Sequence, residues 1–544
     1  MALGTAAPDP AAPGTAVAGA CVPGTADPGT ADPGTALLDP SDEAFARDPF
    51  PYYAALRSQG PAARIPLANG TYAWLITGYE QTRAVLADPR FSNVPPQAAG
   101  RPKPDSPAQR ARACLARHML NSDAPDHTRL RRLTAAAFTP RRVDALRPRI
   151  EELTAGLVRD LVARLERDGS ADLVDAFAFP LPVLVIGEVL GVPEAHRDDL
   201  RKWTYRVGSP ADALPQGEVD TAWTQLHAYF TALIAEKRCT PGDDLFSALV
   251  HDSTEGGLDD GELLAMAFLL LFAGYETTMN LLASASLLLL SHPDELAAAQ
   301  RDPARWTAVV EESLRHASPL EGTTWRRTTD PVDLGGGARI PAGASVLAVL
   351  AAANRDPARF PDPDAFRPGR YAVATTNRTQ SCPAAYAPPH RNRDTRNAPA
   401  TTAGPDAGST ATDRPHAGSG VTDGTGADSS VTDRTDASSD GTAHPHADTA
   451  AADTSGASSA SDASVGAPGP AADPYGTRAA PHAAFGHGPH FCVGSRLARL
   501  EAAVALPLLF DALPGLRLAV DPAELPYRPG LLVRGPRQLP VTQA

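Results

Sequence analysis

Cysteine is scarce and poorly spaced for structural work. Cys21, Cys114, Cys239, Cys382 and Cys492 are the five in 544 residues; their number is odd and no two form a C-x-x-C pair. That spacing argues against a disulfide framework and a cysteine-built zinc site, and a reducing cytoplasm is the expected compartment. Positive charge is also short. Lys and Arg total 49 against 63 Asp and Glu, a net charge of −14, which argues against general nucleic-acid binding. The chain opens without a basic start and apolar core, so no secretory signal is expected. No flavin or nicotinamide fingerprint is present, so redox chemistry here would take electrons from another protein.

Glycine and proline, at 44 and 54 residues, are abundant and gather in two stretches. From Pro13 to Ala36 the motif Pro-Gly-Thr-Ala recurs, with prolines at Pro23, Pro28 and Pro33. From about Tyr371 to Arg478 the chain is rich in Ala, Ser, Thr, Asp and Gly, and Thr412-Asp413, Thr422-Asp423 and Thr432-Asp433 mark a ten-residue repeat. Neither stretch has the apolar side chains a core requires, so 1–37 and 371–478 read as disordered. The remainder, 38–370 and 479–544, is roughly 400 residues, the size of one large domain interrupted late.

The most informative stretch is Phe485-Gly486-His487-Gly488-Pro489-His490-Phe491-Cys492-Val493-Gly494. Apolar spacing from Ser495 to about Leu513 predicts a helix directly after it. Cys492 is therefore expected where a Gly-rich loop meets a helix N-terminus, whose free N–H groups and dipole favour a thiolate and lower the cysteine's pKa. Gly486, Gly488 and Gly494 can take left-handed angles and let backbone approach a flat ligand. A Cys–His nucleophile through His487 or His490 stays open at this point, but it leaves the glycines unexplained.

Further upstream, His127 and Arg131 lie four apart and can share one helix face. The stretch 258–290 is apolar nearly all round, with Glu276, Thr277, Thr278 and Asn280 at its centre. Those polar groups fit a buried active site better than a bilayer. Thr277 follows Ala273 by one turn, so its hydroxyl can compete for that carbonyl and open the helix locally, with Glu276 beside it as a proton source. The patterns from Glu151 to Leu190, with Pro180 and Pro182 breaking it, and from Trp203 to Lys237 are helical.

Phe485-Gly486-x-Gly488-x-His490-x-Cys492-x-Gly494 resembles the haem-binding loop of the cytochrome P450 family. The resemblance implies a mainly α fold with small β-sheets and a long central helix over a buried haem b, with Cys492 as the iron ligand and Phe485, Gly486, His490 and Gly494 in its loop. It makes His127, Arg131 and Arg326 (or its neighbour Arg327) haem-propionate ligands, and Ala273-Gly274-Tyr275-Glu276-Thr277-Thr278 the central-helix motif, in which Ala273 and Gly274 lie against the haem. Glu276 and Thr277 would then be catalytic, steering protons. Glu312 and Arg315, an E-x-x-R pair, would buttress the cysteine loop. Ala365 departs from the family pattern, since many relatives carry an arginine there that joins that pair. Residues 90–110 would form a lid, 208–217 part of the roof, and Ser318-Pro319-Leu320-Glu321 the pocket wall.

The implied activity is that of a soluble, cytoplasmic, monomeric monooxygenase. It would use O₂ and a small lipophilic substrate, with electrons from NAD(P)H delivered through a ferredoxin reductase and a ferredoxin. Arg131, Arg132, Arg496 and Arg499 would give the cysteine side a positive patch for that partner. A non-catalytic haem protein that senses or carries a ligand is the competing reading.

Overall fold

The helix Asp260–Ser291 runs through the middle of the protein. Asp259 starts it with a capping box: its side chain accepts from the Glu262 N–H at 2.7 Å, and Glu262 accepts from the Asp259 N–H at 3.0 Å. Leu, Phe and Ala then bury it nearly all round, each fully buried Leu or Phe contributing about 2 kcal/mol. The helix is long and apolar enough to cross a membrane, yet it packs against the helices Pro180–Val189, Gln216–Cys239, Pro107–Leu115 and Ser495–Ala512. Its apolar surface is therefore core.

This computed structural model describes residues 40, 42–66, 71–95, 104–208, 214–251, 257–371 and 482–543. They all fall within one compact unit. The stretches 1–37 and, apart from Tyr371, 371–478 lie outside the described residues, as does part of the expected lid and roof loop.

Mainly helical, the described part carries three small sheets. The largest orders its strands Ala63–Pro66, Tyr72–Ile76, Ser345–Ala348, Arg326–Thr328 and Phe91–Ser92. Only the pairing of Tyr72–Ile76 with Ser345–Ala348 is parallel. Arg326 faces inward, 5 % exposed, and Arg327 outward, as strand alternation requires. Pro180 and Pro182 do more than break a helix: Pro180 opens Pro180–Val189, where the missing N–H costs no helical bond.

The chain leaves the described core at Tyr371 and returns at His482, and these two rings meet edge to face with centroids 6.1 Å apart. The ends of the late interruption are thus held together.

Candidate active site

The loop before Ser495–Ala512 is shaped by two glycines. Gly486 has φ +74° and Gly488 φ +70°, and a Cβ on Gly488 would lie 2.6 Å from the Leu86 carbonyl oxygen. Gly494 differs from expectation: its φ is −83°, an angle open to any residue. A 3.1 Å bond from the Phe491 N–H to Gly488 O tightens the turn, and the Cys492 N–H donates to Phe485 O at 2.9 Å.

Cys492 is accessible at its surface yet set deep among protein atoms. Burial pushes its thiol up from the usual range, against the pull of the Gly494 and Ser495 backbone and the Arg131 and Arg499 charges. The helix N-terminus acts in the expected direction, but desolvation outweighs it. The loop therefore lowers the cost of a thiolate without creating one; a bound cation has to complete the task.

Basic groups converge on this loop from two other places in the chain, the helix Asp126–Ala137 and the strand Arg326–Thr328. The His127 and His490 rings lie 3.9 Å apart between centroids. Burial, then the charges of His127, Arg326 and Arg131, pushes His490 down to about 3. Arg326 is pushed down to about 10 by burial. Its Nη1 donates to Phe91 O at 3.2 Å, while its Nε and the Nε2 of His127 are buried without a protein partner. Arg131 is lowered by burial and raised by Cys492. Asp123 is the acid that opposes the shifts of His127 and Arg326. A buried and a half-buried arginine, with a ring nitrogen of His127 and the Nε of Arg326 left unpartnered, fit an anionic ligand. Haem, with two propionates and an iron that takes a thiolate, suits this donor set.

On the central helix the Thr277 hydroxyl donates to Ala273 O at 2.8 Å, the contact expected of it. The backbone nevertheless stays helical there, so the hydroxyl shares the carbonyl rather than opening the turn. Ala273 is exposed in the middle of this buried helix. At Gly274 a Cβ would meet Ile186 Cδ1 at 3.0 Å, so its smallness serves packing against Pro180–Val189. Burial pushes the Glu276 carboxyl up, opposed by Arg528, whose Nη1 stands 3.7 Å from Glu276 Oε1. Nothing in the sequence signalled Arg528.

Two adjacent acids on Arg305–His316 anchor separate clusters, and among the described residues only that of Glu311 reaches the cysteine loop. Glu312 and Arg315, both 0 % exposed, pair bidentately at 2.7 and 2.8 Å. Arg315 also donates to the carbonyls of Asn354, Pro363 and Ala365. The place left open by Ala365 is filled by the Arg367 N–H at 2.8 Å and Arg370 Nε at 3.3 Å, both on Glu312 Oε1. Glu311, which sequence reasoning missed, joins His482 Nε2 at 3.1 Å and Arg499 Nη2 at 3.0 Å. Arg499 in turn lies over the Phe485 ring at 4.3 Å. Arg496 pairs with Asp144, so two of the four arginines expected to form a positive patch are already neutralised.

The family profile described as Cytochrome P450 matches residues 306–388, stopping short of the cysteine loop. The chain is 38 % identical over 499 residues to the cytochrome P450 monooxygenase PikC of Streptomyces venezuelae, covering 91 % of each. It is 33 % identical over 512 residues to the 6-deoxyerythronolide B hydroxylase of Saccharopolyspora erythraea, covering 92 % of this chain and 98 % of that one. Among solved structures, the tirandamycin C-bound P450 monooxygenase TamI superposes with a TM-score of 0.64 at 33 % identity, covering 93 % of this chain and all of that one. Likeness of that extent shows that the chain belongs to the cytochrome P450 family of monooxygenases.

Proposed function

We propose that the protein is a cytoplasmic haem-thiolate monooxygenase that hydroxylates or epoxidises a small lipophilic natural product, with electrons from a separate ferredoxin and its reductase. The single observation that carries the reading is the convergence of His127, Arg131, Arg326 and His490 on the Cys492 loop with two buried donors unpartnered. Cys492 would ligate iron, and His127, Arg131 and Arg326 would hold the propionates. When bound, haem supplies the activation of O₂. The chain's own part is protonic: the buried Glu276 carboxyl retains a proton more readily than a free one, and the Thr277 hydroxyl, one residue on, can turn from Ala273 O to pass it. The names of the hydroxylase from Saccharopolyspora and of TamI with its bound tirandamycin support a natural product as substrate.

The test has two parts. Reduced protein under carbon monoxide is expected to show the Soret band that names the family, and Cys492→Ala to lose it; an unchanged band in the variant would refute the ligand assignment. Thr277→Ala is expected to keep that band but to form less product per reduced nicotinamide, the balance appearing as peroxide. Unchanged coupling would remove Thr277 from the proton path. Absence of any substrate-linked oxygen consumption would favour a ligand carrier instead.

A further inference from the structure

We infer that Arg528, on the C-terminal hairpin 526–537, is a positioning residue that holds the Glu276 carboxylate and governs when it takes up a proton. The inference rests on the reading of Glu276 as a proton supply and adds the group that controls it. Arg528 Nη1 and Glu276 Oε1 stand 3.7 Å apart, with the side chains 20 % and 17 % exposed. Charges attract strongly across that gap, but no hydrogen bond locks them. Arg528 Nε is buried without a partner, and its Nη2 lies 3.9 Å from Met279 Sδ. Arg534 on the same hairpin also stands 3.7 Å from a buried acid, Glu321, but its two terminal nitrogens donate to the carbonyls of Ala46 and Arg47, both at 2.7 Å. Arg534 thus staples the hairpin to the N-terminal segment, whereas the side-chain nitrogens of Arg528 hold no backbone carbonyl among the described residues.

The hairpin is built to keep Arg528 in place. Its backbone N–H donates to Gly535 O at 3.1 Å, and the Arg537 N–H to Pro526 O at 2.7 Å. The Glu321 N–H donates to Leu532 O at 2.9 Å and the Arg534 N–H to Pro319 O at 2.8 Å, anchoring the hairpin to the segment after Arg305–His316. A Cβ on Gly535 would collide with Asn280 Oδ1, one helical turn beyond Glu276. Glycine at 535 thus lets the hairpin close on the central helix and bring Arg528 within reach.

Among the described residues, the titratable groups that act on the Glu276 carboxyl or are acted on by it are Arg528 and Tyr275. Tyr275 is held neutral, because burial and then Glu276 push its phenol far up. Burial raises Glu276 and Arg528 lowers it. A carboxyl that gives and regains a proton in each turnover needs both influences: without the first it stays ionised, and without the second it keeps its proton.

The experiment uses the full-length, haem-loaded protein. The infrared carboxylic-acid band of Glu276, identified by its loss in Glu276→Gln, is followed against pH. In Arg528→Gln the band is expected to persist to a pH at least about one unit higher, a tenfold rise in proton affinity. Arg528→Lys keeps the charge and should move it less than half as far. Gly535→Ala, which forces the hairpin off Asn280, should shift it in the same direction as Arg528→Gln. The pH dependence of product per reduced nicotinamide should follow the band, while the carbon monoxide spectrum stays unchanged. A band that titrates at the native pH in Arg528→Gln overturns the inference. Full coupling in Glu276→Gln would instead sink the proton-supply reading, and the band would still decide whether Arg528 governs Glu276.

Discussion

Replacing Glu311 by Gln should weaken the protein in a manner that pH switches off. The carboxyl is 7 % exposed, and although burial alone would raise it, His482 and Arg499 hold it down to about 2 against an ordinary 4.5. A depressed folded value means that its stabilisation is fully present above the unfolded value of 4.5. It is lost as pH falls from there through about 2. The difference corresponds to about 3 kcal/mol. Because Arg499 also lies 4.3 Å over Phe485, losing its anchor should loosen the cysteine loop as well as the fold. Urea unfolding followed by circular dichroism at neutral pH should show Glu311→Gln less stable by about 2–3 kcal/mol. Haem content should fall in parallel. Towards pH 2 the native chain and the variant should converge, since both then carry a neutral side chain. A neutral-pH difference below about 0.5 kcal/mol, or a difference that does not shrink on acidification, would refute the reasoning.

Gly488→Ala should cost more than about 2 kcal/mol and empty the haem site, because it meets both a φ of +70° and the Leu86 carbonyl at 2.6 Å. Gly494→Ala, at φ −83° with Cys492 Sγ 3.9 Å from the new methyl, should stay within about 1 kcal/mol; equal losses in urea titrations of the two would contradict the geometry. Joining Tyr371 to His482 by a short Gly/Ser link should leave the carbon monoxide spectrum intact and stabilise the chain by up to about 2 kcal/mol through the shorter loop closure. Loss of haem from that variant would show that the removed segment is needed for folding.

Short-range chemistry was the legible part of this protein. The Thr277 hydroxyl on Ala273 O, the Glu312–Arg315 pair and the helix after Cys492 all follow from residues at most four apart. Long-range partnership was not legible. Glu311 meets His482 and Arg499 across more than 170 residues, and Arg528 meets Glu276 across some 250; no spacing rule reaches that far. The choice between Arg326 and Arg327 needed the strand's register against Ser345–Ala348. Gly494 misled because residue type fixes permission and not use: it takes an ordinary φ. The Cys492 thiol misled because the dipole could be inferred locally, whereas the desolvation that outweighs it depends on the whole fold.

The meeting of the Tyr371 and His482 rings at 6.1 Å makes the late interruption a natural splice point. A guest domain whose own termini lie about as close could be grafted there without prising the host open. The graft would also report on itself. His482 grips Glu311, Glu311 grips Arg499, and Arg499 covers Phe485 in the cysteine loop. A guest with widely spaced termini would pull on the first link of that chain, and the tension would be transmitted to the cysteine loop. The absorption spectrum of the haem would then serve as a strain gauge for whatever is inserted between Tyr371 and His482.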